Sequence, residues 1–220
     1  MGFKKIPIIF LLLIFLFLKE PAAASLSPGN TSPKKGVGLG WDVGTEEQIN
    51  ALGAGWAYNW TDGNRSQRRL KERSYEWVPM LKNIGEYTEE KVASTAAFRR
   101  QNNLNHYWLI FNEPDYVQQQ NITPEEGARK YKEIRELIKR YEPEAKLIVG
   151  NVFYTDMGWL KNFRGKYYEI FQTWPEVEGW GVHLYMGWSN YNRETWRQTM
   201  LAIKNWMSPN GGQKELWLTE

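Results

Sequence analysis

The chain has no cysteine and only two histidines, His106 and His183, so carboxylates must carry any acid–base or nucleophilic chemistry. Disulfides, thiolate metal sites and cysteine nucleophiles are excluded, and a multi-histidine metal centre is not expected. Two glutamates stand out by position. The apolar run Trp108-Leu109-Ile110-Phe111 leads straight into Asn112-Glu113-Pro114, and Glu220 closes Glu215-Leu216-Trp217-Leu218-Thr219-Glu220. A short, continuous apolar run reads as a strand buried on both faces of an α/β fold. Pro114 cannot donate to a strand ladder and ends the first run. Each glutamate then lies at the carboxyl end of a strand, where barrels and open α/β sheets place their chemistry. Two such carboxylates can supply the acid and the nucleophile for cleaving a glycosidic bond.

Other residues fit the same picture. His183 and Tyr185 are two apart on one strand, so both point to one face and can reach the carboxylates together. A histidine there is equally explained as a satisfied core residue. Asn59, Trp60 and Asn151 sit at the ends of the second and fifth strands, where they either line sugar subsites or pack structurally. Trp108, Trp180 and Trp217 lie within strands and are expected in the core. Twelve Trp and twelve Tyr suit a cleft that takes the C–H faces of sugars, although buried aromatics explain part of the number.

Positioning these groups requires alternating strands and helices. The pattern predicts strands at 36–40, 54–58, 75–80, 108–111, 146–151, 179–185 and 215–220. Helices are expected from Thr45, over 88–101, over 123–141 with the stripe Tyr131, Ile134, Leu137 and Ile138, near 159–171 and over 193–207. Thr123-Pro124-Glu125-Glu126 is a strong helix start, with an N-cap, proline at N1 and acids in the first turn. Ser208 to Gly212 should turn. Seven strands in strict alternation with helices predict an α/β fold, a (β/α)8 TIM barrel truncated after strand seven. An open doubly wound sheet is the alternative, but Gly36-Val37-Gly38-Leu39-Gly40 leads into Trp41-Asp42 rather than a helix N-terminus.

The N-terminus has a separate logic. Lys4 and Lys5 precede thirteen apolar residues, Ile6 to Leu18, and Ala22-Ala23-Ala24 offers a cleavage site. This is the layout of a secretory signal peptide over 1–24, and the run is short for a membrane span. An uncleaved surface anchor is the competing reading. Residues 25–35 read as a flexible lead and 36–220 as the barrel domain, C-terminally incomplete. Cleavage would lower the formal charge from +3 to +1, which gives no reason to expect nucleic acid as a partner.

Asn-Glu-Pro after a fourth strand, His-x-Tyr after a sixth and a glutamate closing a seventh resemble the clan A glycoside hydrolases. Trp56-Ala57-Tyr58-Asn59-Trp60, Trp77-Val78-Pro79-Met80 and Trp217-Leu218-Thr219-Glu220 are similar to strand-end motifs of glycoside hydrolase family 128, the endo-β-1,3-glucanase-like catalytic domains. The resemblance spans 36–220. It implies a secreted, retaining hydrolase of β-glucan, β-1,3-linked, with Glu113 as acid/base and Glu220 as nucleophile. It also implies that Asn112 donates to the substrate's 2-hydroxyl and that His183, Tyr185, Asn59, Trp60 and Asn151 border the substrate. A monomer acting on poly- or oligosaccharide, with no cofactor, no metal and no membrane contact beyond the signal segment, is expected. The rival reading is a carbohydrate-binding barrel without turnover. Asn30, Asn59, Asn64 and Asn121 begin N-x-Ser/Thr sequons, and Asn59 is expected to be unmodified because a glycan there would fill the cleft.

Overall fold

The computed structural model describes residues 32–40, 46–62, 75–85, 87–102, 104, 106–185, 192–207 and 214–220. The signal-like segment 1–24, Thr45, Asn64 and the turn at 208–212 lie outside the described residues. Among the described residues, no helix is long and apolar enough to cross a membrane.

The elements are β1 (Ser32–Gly38), α1 (Glu46–Leu52), β2 (Ala54–Tyr58), β3 (Glu76–Trp77), β4 (Met80–Leu81), α2 (Glu89–Gln101), β5 (Tyr107–Ile110), α3 (Pro124–Tyr141), β6 (Lys146–Val152), α4 (Met157–Phe171), β7 (Gly179–Val182), α5 (Arg193–Met207) and β8 (Glu215–Leu218), with strands and helices alternating from β4 onward. Every strand pairing is parallel. The strands lie in chain order, β1-β2-β3 in one sheet and β4 to β8 in the other. Among the described residues no reversal of order occurs within either sheet, which argues against the doubly wound alternative.

Three sequence expectations need correction. The strand expected over 179–185 ends at Val182, so His183 and Tyr185 lie just past it rather than on it. The first strand begins at Ser32, not Gly36, so part of the expected lead pairs with β2. The third strand is two short pieces, because Val78-Pro79 interrupts it. Pro79 has no N–H to donate, and the chain changes partners there. Before it, Ala57 pairs with Trp77; after it, Met80 pairs with Leu109. The backbone still runs on, since Val78 N–H donates to Ala57 O and Leu109 N–H to Pro79 O, each at 2.9 Å.

Alternation along β5 and β6 feeds two of the three core clusters, the third being Ile49, Ala54, Ala57, Tyr75 and Trp77 around β2 and β3. Trp108, Ile110, Leu147 and Val149 face the helices and pack with Tyr131, Ile134, Ile138, Leu160 and Phe163. Leu109 and Ile148 face the other way and meet Tyr58, Val78 and Met80, with Trp56, Trp60, Tyr107 and Trp217 packed against them. Burial on both faces explains why these strands read as unbroken apolar runs. Trp108 and Trp180 are buried core residues as expected, whereas Trp217 is only partly buried, 4.7 Å from the Trp56 ring. On the outside, Thr123 and Glu126 form the reciprocal capping box of α3.

Candidate active site

The carboxyl ends of β2, β5, β6, β7 and β8 converge. Glu113 lies just past β5, with 5% of its surface exposed, and Glu220 just past β8. His183 sits between them, fully buried, its Nδ1 2.9 Å from Glu113 Oε1 and its Nε2 3.5 Å from Glu220 Oε1. The Tyr185 hydroxyl donates to Glu113 Oε1 at 3.2 Å and also to Glu220 Oε2. Trp60 Nε1 donates to Glu220 Oε1 at 2.6 Å. Burial pushes the Tyr185 phenol well above its ordinary value, and the neighbouring carboxylates, Glu220 foremost, add to the shift. It therefore remains a donor at neutral pH. Glu220 thus faces two donors, an N–H from Trp60 and an O–H from Tyr185, which fix the orientation of its carboxylate.

The backbone here is bent to aim side chains. Trp60, Phe111, Glu113 and Asn151 all have left-handed φ, at 56°, 70°, 46° and 49°. None is glycine, and such strain concentrates where the surrounding structure holds a functional geometry. Asn151 provides much of that hold. Its Nδ2 donates to Phe111 O at 3.1 Å and Ile110 O at 3.3 Å, and its Oδ1 accepts from Thr219 Oγ1 at 3.0 Å. Its own carbonyl accepts Glu113 N–H at 2.8 Å. Tyr58 adds a second tie, its hydroxyl donating to Thr219 O at 2.6 Å. One amide therefore sets the strand ends that carry both glutamates.

Of the two readings the sequence left open for Asn151, its full burial and hydrogen bonds favour structural packing that holds the site. Asn59 accepts from Thr61 Oγ1 at 2.6 Å and is partly buried. Asn112 is buried beside Glu113, and its Oδ1 has no hydrogen-bond partner among the described residues. Tyr58 and Thr219 escaped the sequence analysis, although Tyr58 lies two residues before Trp60 and so shares its direction.

Gly181 makes room for Asn151, since a methyl group at residue 181 would run into Asn151 Oδ1. Gly181→Ala is expected to cost about 1–3 kcal/mol, as overpacking of a fixed buried group does. Urea denaturation checks it, and an unchanged midpoint would refute the pinning role.

Asp115 supports the neighbouring turn, accepting the Phe153 N–H at 3.0 Å. Burial raises its carboxyl to about 6 despite that hydrogen bond, with Asp156 and Glu113 contributing. Because the folded value lies above the ordinary 3.8, the folded chain holds the extra proton between these values. This group's stabilising contribution is complete below that window and is lost as pH rises through it. Asp115→Asn should therefore gain Tm relative to the wild type at about pH 7.5 more than at about pH 4.5. Thermal denaturation at both pH values tests this, and a pH-independent difference would contradict it.

Glu113, His183 and Glu220 also offer ligand atoms all within 4.8 Å of one another, the group among the described residues spaced to hold a cation. A parallel α/β scaffold with two carboxylates and a phenol converging at its strand ends can run acid and nucleophilic chemistry on a glycosidic bond. Residues 38–220 match the model of the glycosyl hydrolase catalytic core, and the chain belongs to that family. No curated protein sequence gives a significant match. In fold the chain is similar to glycoside hydrolase family 128 structures. One is the subgroup II endo-β-1,3-glucanase of Pseudomonas viridiflava, with TM-score 0.66, 21% identity, and coverage of 86% of this chain and 70% of that one. A second is the subgroup I endo-β-1,3-glucanase of Amycolatopsis mediterranei in complex with laminaritriose, with TM-score 0.64, 21% identity and the same coverages. A third is the subgroup III curdlan-specific exo-β-1,3-glucanase of Blastomyces gilchristii, with TM-score 0.62, 22% identity, and coverage of 86% and 76%.

Proposed function

We propose that this glycoside hydrolase cleaves β-glucan, β-1,3-linked, with retention of configuration. The observation that carries the reading is the spacing of the pair: carboxyl oxygens of Glu113 and Glu220 lie within 4.8 Å. Retaining enzymes hold their two carboxyl groups about 5–5.5 Å apart, and inverting enzymes hold them wider to admit a water. Glu220, held by Trp60 and Tyr185, attacks the anomeric carbon to form a glycosyl ester. Glu113 protonates the departing oxygen and then takes a proton from the water that releases the sugar. Asn112, next to Glu113, is the residue whose amide N–H donates to the substrate's 2-hydroxyl in this reading. The linkage rests on the likeness to β-1,3-glucanases. The chain-ordered parallel strands support a (β/α)8 barrel, and the basic-apolar-small layout of 4–24 supports secretion.

The test is reducing-sugar release from a panel of β-1,3-, β-1,4- and mixed-linkage glucans, with the first-formed anomer read by NMR. Release from β-1,3-glucan with the β-anomer first is expected. An α-anomer would reject Glu220 as nucleophile. Glucan binding without hydrolysis in the full-length native protein would favour the non-catalytic reading.

A further inference from the structure

The short 3-10 turn Phe153–Thr155 follows β6 directly, so it emerges beside the carboxylates. Tyr154 and Thr155 both have left-handed φ, at 49° and 58°, and neither is glycine. Two consecutive side-chain-bearing residues in this region are unfavourable and persist only when their surroundings impose them. Here the surroundings do so. Phe153 N–H is held by Asp115 Oδ1 at 3.0 Å, and Phe153 stacks on Tyr116 at 4.2 Å with 13° between the planes. On the far side, Asp156 N–H donates to Phe153 O, and the Asp156 side chain caps α4 by accepting Gly158 and Trp159 N–H.

This enforced bend does not bury Tyr154, which remains 55% exposed. Its ring stands 4.5 Å from Phe153 and 5.4 Å from Tyr185, edge-on to both. Tyr185 in turn bonds to both glutamates. Tyr154 is therefore one aromatic ring removed from the reacting pair, a separation comparable to one pyranose. A rigid apolar ring held exposed at that distance has the geometry of a sugar platform, because pyranoses present C–H faces to aromatic surfaces.

We infer that Tyr154 walls a sugar subsite next to the scissile bond and that the strained turn exists to present it. The ligand is a pyranose unit of the same glucan, so the inference rests on the proposed function. Tyr154 contributes affinity and chain placement, and transfers no proton.

The test separates binding from stability in the full-length chain carrying Glu113→Gln, which keeps bound glucan uncleaved. A β-1,3-gluco-oligosaccharide of five units is titrated calorimetrically. Adding Tyr154→Gly should weaken its binding about tenfold, the loss of one aromatic contact, while Tyr154→Phe should stay within about threefold of the parent. Glycine accepts left-handed φ without strain, so Tyr154→Gly should unfold at the same or a higher temperature than the parent. Weaker binding together with undiminished stability is a signature that a packing role would not give. Unchanged affinity in Tyr154→Gly, or a lowered Tm with full affinity, would overturn the inference and leave the proposed function intact. If the Glu113→Gln parent binds no β-1,3-oligosaccharide, the glucan assignment itself fails and this inference with it.

Discussion

Glu113→Gln should leave the fold intact and slow hydrolysis of β-1,3-glucan by about 10²–10⁴-fold, the usual worth of a positioned proton donor. The loss should depend on the leaving group. A sugar hydroxyl is a poor leaving group and needs protonation as the bond breaks. An activated aryl oxide departs without it, so the variant should still form the glycosyl ester from an aryl β-glycoside. Turnover would then stall, because the same carboxylate is needed to activate water, and a burst of aryl alcohol should precede slow steady-state release. Glu220→Gln should show no burst with either substrate, since no ester can form. Equal losses on polysaccharide and aryl glycoside in both variants would reject the division of labour. Intrinsic tryptophan fluorescence and a Tm close to wild type would confirm that chemistry, not folding, was removed.

Glu113 could be placed from the sequence because β5 is buried on two faces and has a local signature, whereas β8 is half exposed and Glu220 was singled out through the family resemblance. The start of α3 was equally plain, since Thr123, Pro124 and Glu126 act within one turn. What escaped were interactions between residues far apart in the chain. Tyr58 and Thr219 are 161 positions apart, and only the folded sheet brings the hydroxyl to that carbonyl. Asn151 was left open between cleft lining and packing because it ends a strand, and nothing in its neighbours along the chain predicts its left-handed φ of 49° or its bonds to Phe111 and Thr219. The switch of strand partners at Pro79 was half visible. Proline announced an end to pairing, yet which strand would pair next depended on β5. Tyr154 passed as one more aromatic, because a left-handed tyrosine has no sequence signal.

The largest stability effect should come from the opposite end of the strands. Glu142, only 2% exposed, collects partners from α2, from β5 and from the residue just before β5. Trp108 Nε1 donates to its Oε2 at 2.7 Å, while His106 Nδ1 and Arg99 Nε reach its Oε1 at 2.8 Å and 3.4 Å. Arg99 is also buried, donates to Trp77 O at 3.2 Å and lies over the Trp108 ring at 5.7 Å. Burial pulls the Arg99 guanidinium down from its usual range, and Glu142 is the main group opposing that. Glu142→Ala would leave a buried cation and an indole N–H without their acceptor. Breaking one side of a buried pair costs about 3–5 kcal/mol. A domain of this kind has about 5–15 kcal/mol in all, so the variant should be largely unfolded or melt far below wild type. The cost comes from the stranded partner rather than from the strength of the bond. Replacing both charges, as Arg99→Met with Glu142→Leu, should therefore recover most of the loss. Urea denaturation of the two single variants and the double variant measures this coupling. A Glu142→Ala protein within about 1 kcal/mol of wild type would show that water reaches Arg99 and that the cluster is not the sealed pair its burial implies.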